Sequence, residues 1–120
     1  MRTLSIQVQP LRSSTIDMNK VVREFELIAS MNLATKHGFD SGEDDGPYFN
    51  FVFETVDAEA LWSAIKEKLY GPDQLGHWMK ESSMAMCSSD DSWDDYDLLF
   101  HCDPEVEIDS PSLGRAQDGR

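Results

Sequence analysis

The stretch Tyr48-Phe-Asn-Phe-Val-Phe-Glu-Thr55 decides the fold. Phe49, Phe51 and Phe53 alternate, so an extended chain puts all three rings on one side. Tyr48, Asn50, Val52 and Glu54 take the other side. A strand of this kind needs a layer to cover its rings, and the neighbouring sequence supplies one. Asp57 caps a following helix whose Ala58, Leu61, Trp62, Ile65 and Leu69 form an apolar stripe. Glu59, Lys66, Glu67 and Lys68 stay on its wet side, and Gly71-Pro72 stops it. On the other flank, residues 33–39 read as a partner strand. Asp40-Ser-Gly-Glu-Asp-Asp-Gly-Pro47 reads as an acidic loop that closes the hairpin.

Working outward, Leu4, Ile6 and Val8 alternate with Thr3, Ser5, Gln7 and Gln9, the pattern of a half-buried strand over 3–9. Residues 16–31 switch to a helical period, with Met18, Val21, Val22, Phe25, Ile28 and Ala29 on one stripe and Ser14, Thr15 or Asp17 as its cap. Leu27 and Met31 fall on the far side, where a loop or the chain's own tail is expected to cover them. A short helix is expected over 73–81 through Leu75, Trp78 and Met79. Strands are expected over 84–88 and 96–102, joined by the acidic loop Ser89-Asp-Asp-Ser-Trp-Asp-Asp95. In that hairpin Ser88 faces Tyr96 and Cys87 faces Asp97, which leaves Cys102 beyond disulfide reach of Cys87.

Strand, helix, two strands, helix, two strands is an α+β order. Its first four strands and two helices resemble the βαββαβ pattern of ferredoxin-like domains. The expectation is one domain over 1–103, an antiparallel sheet of four to five strands with two main helices on one face. An acidic, loosely attached tail is expected over 104–120, with Val106 and Ile108 available as a short edge strand. The uncovered sheet face would carry Gln7, Asn50 and Tyr48, with His101 or Asp97.

The chain has 120 residues and 12 aromatics, enough for one core. Against 10 basic side chains stand 23 acidic ones, a net charge of −13. That field repels phosphate, which argues against a nucleic-acid binder and against a polybasic lipid anchor. The opening residues alternate and lack the continuous apolar stretch of a signal peptide, and no window resembles a membrane span, so a cytoplasmic location is expected. Two cysteines, read as small apolar fillers, agree with a reducing compartment.

Phosphate-binding, nucleophile-elbow and zinc-protease signatures are lacking. His37, His77 and His101 have no ligand spacing, and His101-Cys102-Asp103 would alternate between faces, so no metal or other cofactor is expected. Asp90, Asp91, Asp94, Asp95 and Asp97 lack the central glycine and terminal glutamate of an EF-hand calcium loop. Glu54, beside Tyr48 and Asn50, is the carboxylate best placed for acid–base chemistry, and an ordinary strand glutamate is the favoured reading. The charge is lopsided: residues 1–80 carry 8 basic and 12 acidic side chains, residues 81–120 carry 2 and 11. Trp93 and Tyr96 are embedded in the acidic stretch.

These features lead to a non-enzymatic, acidic protein-binding domain for a basic partner. An inhibitor or immunity-type protein masking a basic enzyme such as a nuclease has this profile. Its expected contact residues are Asp90, Asp91, Trp93, Asp94, Asp95 and Tyr96. The alternative is a ligand-binding or regulatory domain that forms a homodimer through an open sheet face covered by Tyr48, Val52 and Leu99. A small enzyme with a dispersed site using Glu54, His37 or His101 ranks last.

Overall fold

Extended pairing carries the alternation of the central strands across the whole sheet. The computed structural model describes residues 2–88, 96–106 and 108. The strands are β1 (Arg2–Val8), β2 (Lys36–Glu43), β3 (Pro47–Thr55), β4 (Ser83–Ser88) and β5 (Tyr96–His101). The helices are α1 (Met18–Ala29), α2 (Ala58–Leu69) and α3 (Gln74–Ser82), with a short 3-10 turn at Pro10–Arg12. The five strands form one antiparallel sheet in the order β2-β3-β1-β4-β5, an α+β architecture.

Register explains the core. Phe51 pairs with Ile6, Ile6 with Ala85, Phe51 with Phe39 and Ala85 with Phe100, which makes one row across all five strands. Against this face α1 lays Val21, Phe25 and Ile28, and α2 lays the five-residue stripe expected from its sequence. Phe25 stacks on Phe51 with ring centroids 4.1 Å apart, and Phe39 meets Phe51 edge-on at 5.0 Å. Each helix begins on an aspartate that accepts an amide hydrogen of its first turn: Asp17 from Asn19, Asp57 from Ala60, Asp73 from Gly76. Each such cap is worth about 1 kcal/mol.

Several expectations change. The partner strand runs 36–43 rather than 33–39, so Asp40, Ser41, Gly42 and Glu43 belong to a ladder and only Asp44–Gly46 turn the hairpin. Most of β2 is solvent-exposed on the sheet edge, so no burial pattern marks it in the sequence, and hydrogen bonding to β3 sets its limits. Leu99 does not cover the open face. A bulge places Phe100 opposite Ala85 and Leu98 opposite Met86, and the extra residue, Leu99, is buried in the core. Asp97 sits opposite Cys87 on the helix side, where Arg2 Nη2 approaches it at 3.8 Å, and His101, opposite Met84, takes the open side. Leu27 and Met31 are 50% and 40% exposed, uncovered among the described residues. Val106 and Ile108 are exposed and lie outside any strand. The rest of the 104–120 tail, beyond 104–106 and 108, lies outside the described residues.

Tyr70 closes the far end of the core. Its ring packs edge-on against Trp62 at 5.7 Å and Phe100 at 5.1 Å. Its hydroxyl donates to Ser83 Oγ at 2.6 Å, and Ser83 Oγ donates to the Met79 carbonyl. Burial raises the Tyr70 pKa well above the ordinary tyrosine value, because the phenolate would lose its hydration. A raised pKa in the folded state gives stability that is complete below the unfolded value of about 10 and declines as pH rises past it. Tyr70→Phe is therefore expected to cost about 1 kcal/mol at neutral pH. The same variant should flatten the loss of stability between about pH 9 and about pH 12. Urea midpoints across that range check both effects, and an unchanged alkaline slope would contradict them.

Candidate functional site

The sheet face opposite the helices divides into two halves. Alternation sends Gln7, Gln9, Tyr48 and Asn50 to this side, and register brings Gln7 opposite Asn50 and Asn50 opposite Asp40. Their side chains form a directed chain of hydrogen bonds. Arg12 Nε donates to Gln9 Oε1 at 2.8 Å, and Gln9 Nε2 donates to Gln7 Oε1 at 2.9 Å. Gln7 Nε2 then donates to Asn50 Oδ1 at 3.1 Å, and Asn50 Nδ2 donates to Asp40 Oδ1 at 3.0 Å. Every bond runs from the guanidinium toward the carboxylate, so each amide is polarised in the same sense. Exposed and part-buried bonds of this type add little net stability, about 1 kcal/mol each, but they orient the side chains.

Above this floor lies a groove of about 600 Å³. Arg12, Asp44, Asp45 and Tyr48 all line it. Two glycines shape it. Gly46 has a φ of +121°, a conformation that L side chains rarely adopt, and lets the turn reach Leu11. Gly42 lets the Tyr48 ring lie flat on the strand, since a β-carbon there would collide with the hydroxyl end of Tyr48. Nothing comparable constrains Gly38, where a β-carbon would meet open space.

The second half of the face is less polar. One row runs Gly38, Val52, Ser5, Met86, Leu98, with Met84 beside Gln7. Val52, Met84, Met86 and Leu98 are each half-buried.

The residues expected from sequence are placed as follows. Asp90, Asp91, Trp93, Asp94 and Asp95 lie outside the described residues, as does the side chain of Tyr96, whose backbone pairs with Ser88. Glu54 pairs with Lys36 at the β2 edge and borders a shallow depression of about 400 Å³, as does His37. His37 nonetheless belongs to the helix-side row, with its ring 5.4 Å from Phe39 and 6.5 Å from Phe53. Glu54 and His37 thus leave opposite faces of the sheet and form no proton-transfer pair. His101 Nδ1 accepts the Asp103 amide hydrogen at 3.0 Å, and His77 lies 3.2 Å from Glu81. Among the described residues no three His, Cys, Asp or Glu side chains converge as metal ligands.

Gln7, Asn50 and Tyr48 were legible as residues of the open face. Gln9, Arg12, Asp44 and Asp45 were not assigned to a site. The period-2 pairing of Gln9 with Gln7 was the available signal. No local pattern announces that the Pro10–Arg12 turn packs against α3 and β3. No protein-family model matches this chain, and no curated protein or solved structure does either.

Proposed function

We propose that this chain is a small, non-enzymatic, acidic domain that recognises a basic protein partner, in the manner of an inhibitor or immunity-type protein masking a basic enzyme such as a nuclease. One observation carries the reading. At a net charge of −13, the ion pairs among the described residues are Arg2–Asp97 and His77–Glu81. Asp40, Glu43, Asp44 and Asp45 therefore stand exposed and without an ion pair among the described residues, grouped at one hairpin. Grouped carboxylates speed encounter with a cationic surface and select against other partners. The acidic 90–96 segment, with Trp93 and Tyr96, remains part of the proposed contact surface. A ferredoxin-like topology belongs to the same proposal. It is supported by the order strand, helix, hairpin, helix, strand, with α3 and β5 as additions. So does a cytoplasmic location, supported by a sequence with two cysteines and no disulfide framework. No helix among the described residues is long and apolar enough to cross a membrane.

The test uses a ten-residue Arg/Lys peptide as probe and a variant with Asp40→Asn, Glu43→Gln, Asp44→Asn and Asp45→Asn. At low salt the variant should bind about tenfold more weakly or worse, a loss of roughly 1.4 kcal/mol, with its fold retained. Equal affinity would remove the hairpin from the contact surface. A second reading, a homodimer through the open face, is favoured by the half-buried Val52, Met84, Met86 and Leu98. Light scattering separates it, because a monomer at micromolar concentration contradicts it.

A further inference from the structure

The groove is lined by opposite charges that form no ion pair with each other among the described residues. Arg12 and the pair Asp44 and Asp45 line the same space, and among the described residues Arg12 forms no ion pair with either. Arg12 is held by its Nε bond to Gln9, and Gln9 is held in turn by Gln7. The backbone that carries Asp44 and Asp45 is tied by the hairpin turn, where the Asp44 amide hydrogen is donated to the Gly46 carbonyl at 2.9 Å. Opposite charges that line one groove without pairing leave it polarised. The gap of about 600 Å³ is roughly the share of twenty waters in liquid.

We propose that this groove binds a small zwitterion of the α-amino acid or short-peptide class. The ligand carboxylate meets the free guanidinium nitrogens of Arg12, which suit planar bidentate recognition. Its ammonium meets Asp44 and Asp45. The floor of Gln7, Gln9 and Asn50 offers the remaining donors and acceptors of the directed chain to the ligand's amide or polar side chain. A purely cationic ligand would be repelled by Arg12, and a purely anionic one by the two aspartates, so a molecule carrying both charges is the one complementary to the lining. The inference does not rest on the basic-partner reading, although Asp44 and Asp45 belong to both.

The test is a titration of the intact chain with L-glutamine, with diglycine as the short-peptide probe, followed by amide chemical shifts. Two blocked analogues accompany them: N-acetyl-L-glutamine, without the ammonium, and L-glutamine amide, without the carboxylate. Saturable shifts at Arg12, Asp44, Asp45 and Tyr48 are expected with at least one zwitterion. Both blocked forms should bind at least about tenfold more weakly. Arg12→Gln should abolish the preference for the acid over its amide. Asp44→Asn with Asp45→Asn should abolish the preference for the free amine, with unchanged spectra elsewhere reporting an intact fold. The absence of saturable shifts with either zwitterion up to about 10 mM, an affinity floor below about 3 kcal/mol, would overturn the proposal. Equal binding of the amide would reveal a cation site only and would overturn it too, while leaving the basic-partner reading standing.

Discussion

Replacing Phe25 by alanine is expected to cost about 4 kcal/mol, the middle of the range for removing a buried phenylalanine. Phe25 is fully buried and is the ring through which α1 holds the sheet. It stacks on Phe51 at 4.1 Å, lies 6.1 Å from Phe53 and meets Phe39 edge-on at 6.5 Å. Alanine would remove the transfer free energy of a whole ring and leave a cavity whose walls are fixed. Phe51 and Phe53 are held by β1 pairing and cannot slide inward. Domains of this kind have a total stability of about 5–15 kcal/mol, so the variant should be marginal. The urea midpoint should fall by roughly 2 M at a slope of about 2 kcal/mol per M. Phe25→Leu, which keeps most of the volume, should lose no more than about 1.5 kcal/mol. A loss under about 1 kcal/mol for Phe25→Ala would mean that α1 is not anchored by this stack.

The second large effect has a sign opposite to helix propensity. Gly76 lies in the first turn of α3, where alanine would ordinarily gain up to about 1 kcal/mol. Here a β-carbon would lie 2.7 Å from both Gly71 C and Gly71 N and run into the Gly71 carbonyl oxygen. Backbone cannot rotate away as a side chain can. The chain at 71–73 is also tied to α3, since Asp73 Oδ1 accepts the Gly76 amide hydrogen at 2.9 Å and Lys80 Nζ donates to the Gly71 carbonyl. Relief would require α3 to lift from α2, pulling Trp78 and Met79 from their buried positions. Gly76→Ala is expected to destabilise by about 3 kcal/mol. Gly38→Ala, on an edge strand with open space around it, should stay within about 1 kcal/mol of the parent. Urea unfolding of the two alanine variants side by side checks the contrast. If both behave alike, the close approach of Gly76 to Gly71 is not present in solution.

What could be read from the sequence followed from where burial was one-sided. The Phe49, Phe51, Phe53 alternation and the Leu61, Trp62, Ile65, Leu69 stripe each face one core, and pattern and structure agree there. The pairing of Ser88 with Tyr96 and of Cys87 with Asp97 followed from the hairpin arithmetic. The limits of β2 did not, because an exposed edge strand containing Gly38 and Gly42 has no burial pattern to display. Its partner β3 imposes the ladder. Leu99 is not on the open face because β5 turns Asp97 and Leu99 to the helix side, beside the buried Cys87 and Ala85, and nothing in the hairpin's own sequence fixes which side that is. The candidate site was half legible. Gln7 and Asn50 share a face by parity alone, but Arg12 and Asp44 reach that face only through the turn at Pro10–Arg12 and the hairpin at 44–46.

Charge is the thread that ties the site to a role. The groove and its hairpin concentrate exposed aspartates where the sheet is uncovered, and the acidic surplus continues toward residue 120. The most direct measurement is the salt dependence of association between the intact chain and the protein it captures from its source at low ionic strength. Exposed charges attract across a screening length of about 10 Å at 0.1 M salt and far less at 1 M. A strongly basic partner whose association constant falls at least about tenfold between about 0.05 and 0.5 M salt is the predicted result. An acidic or neutral partner, or an affinity indifferent to salt, would contradict it.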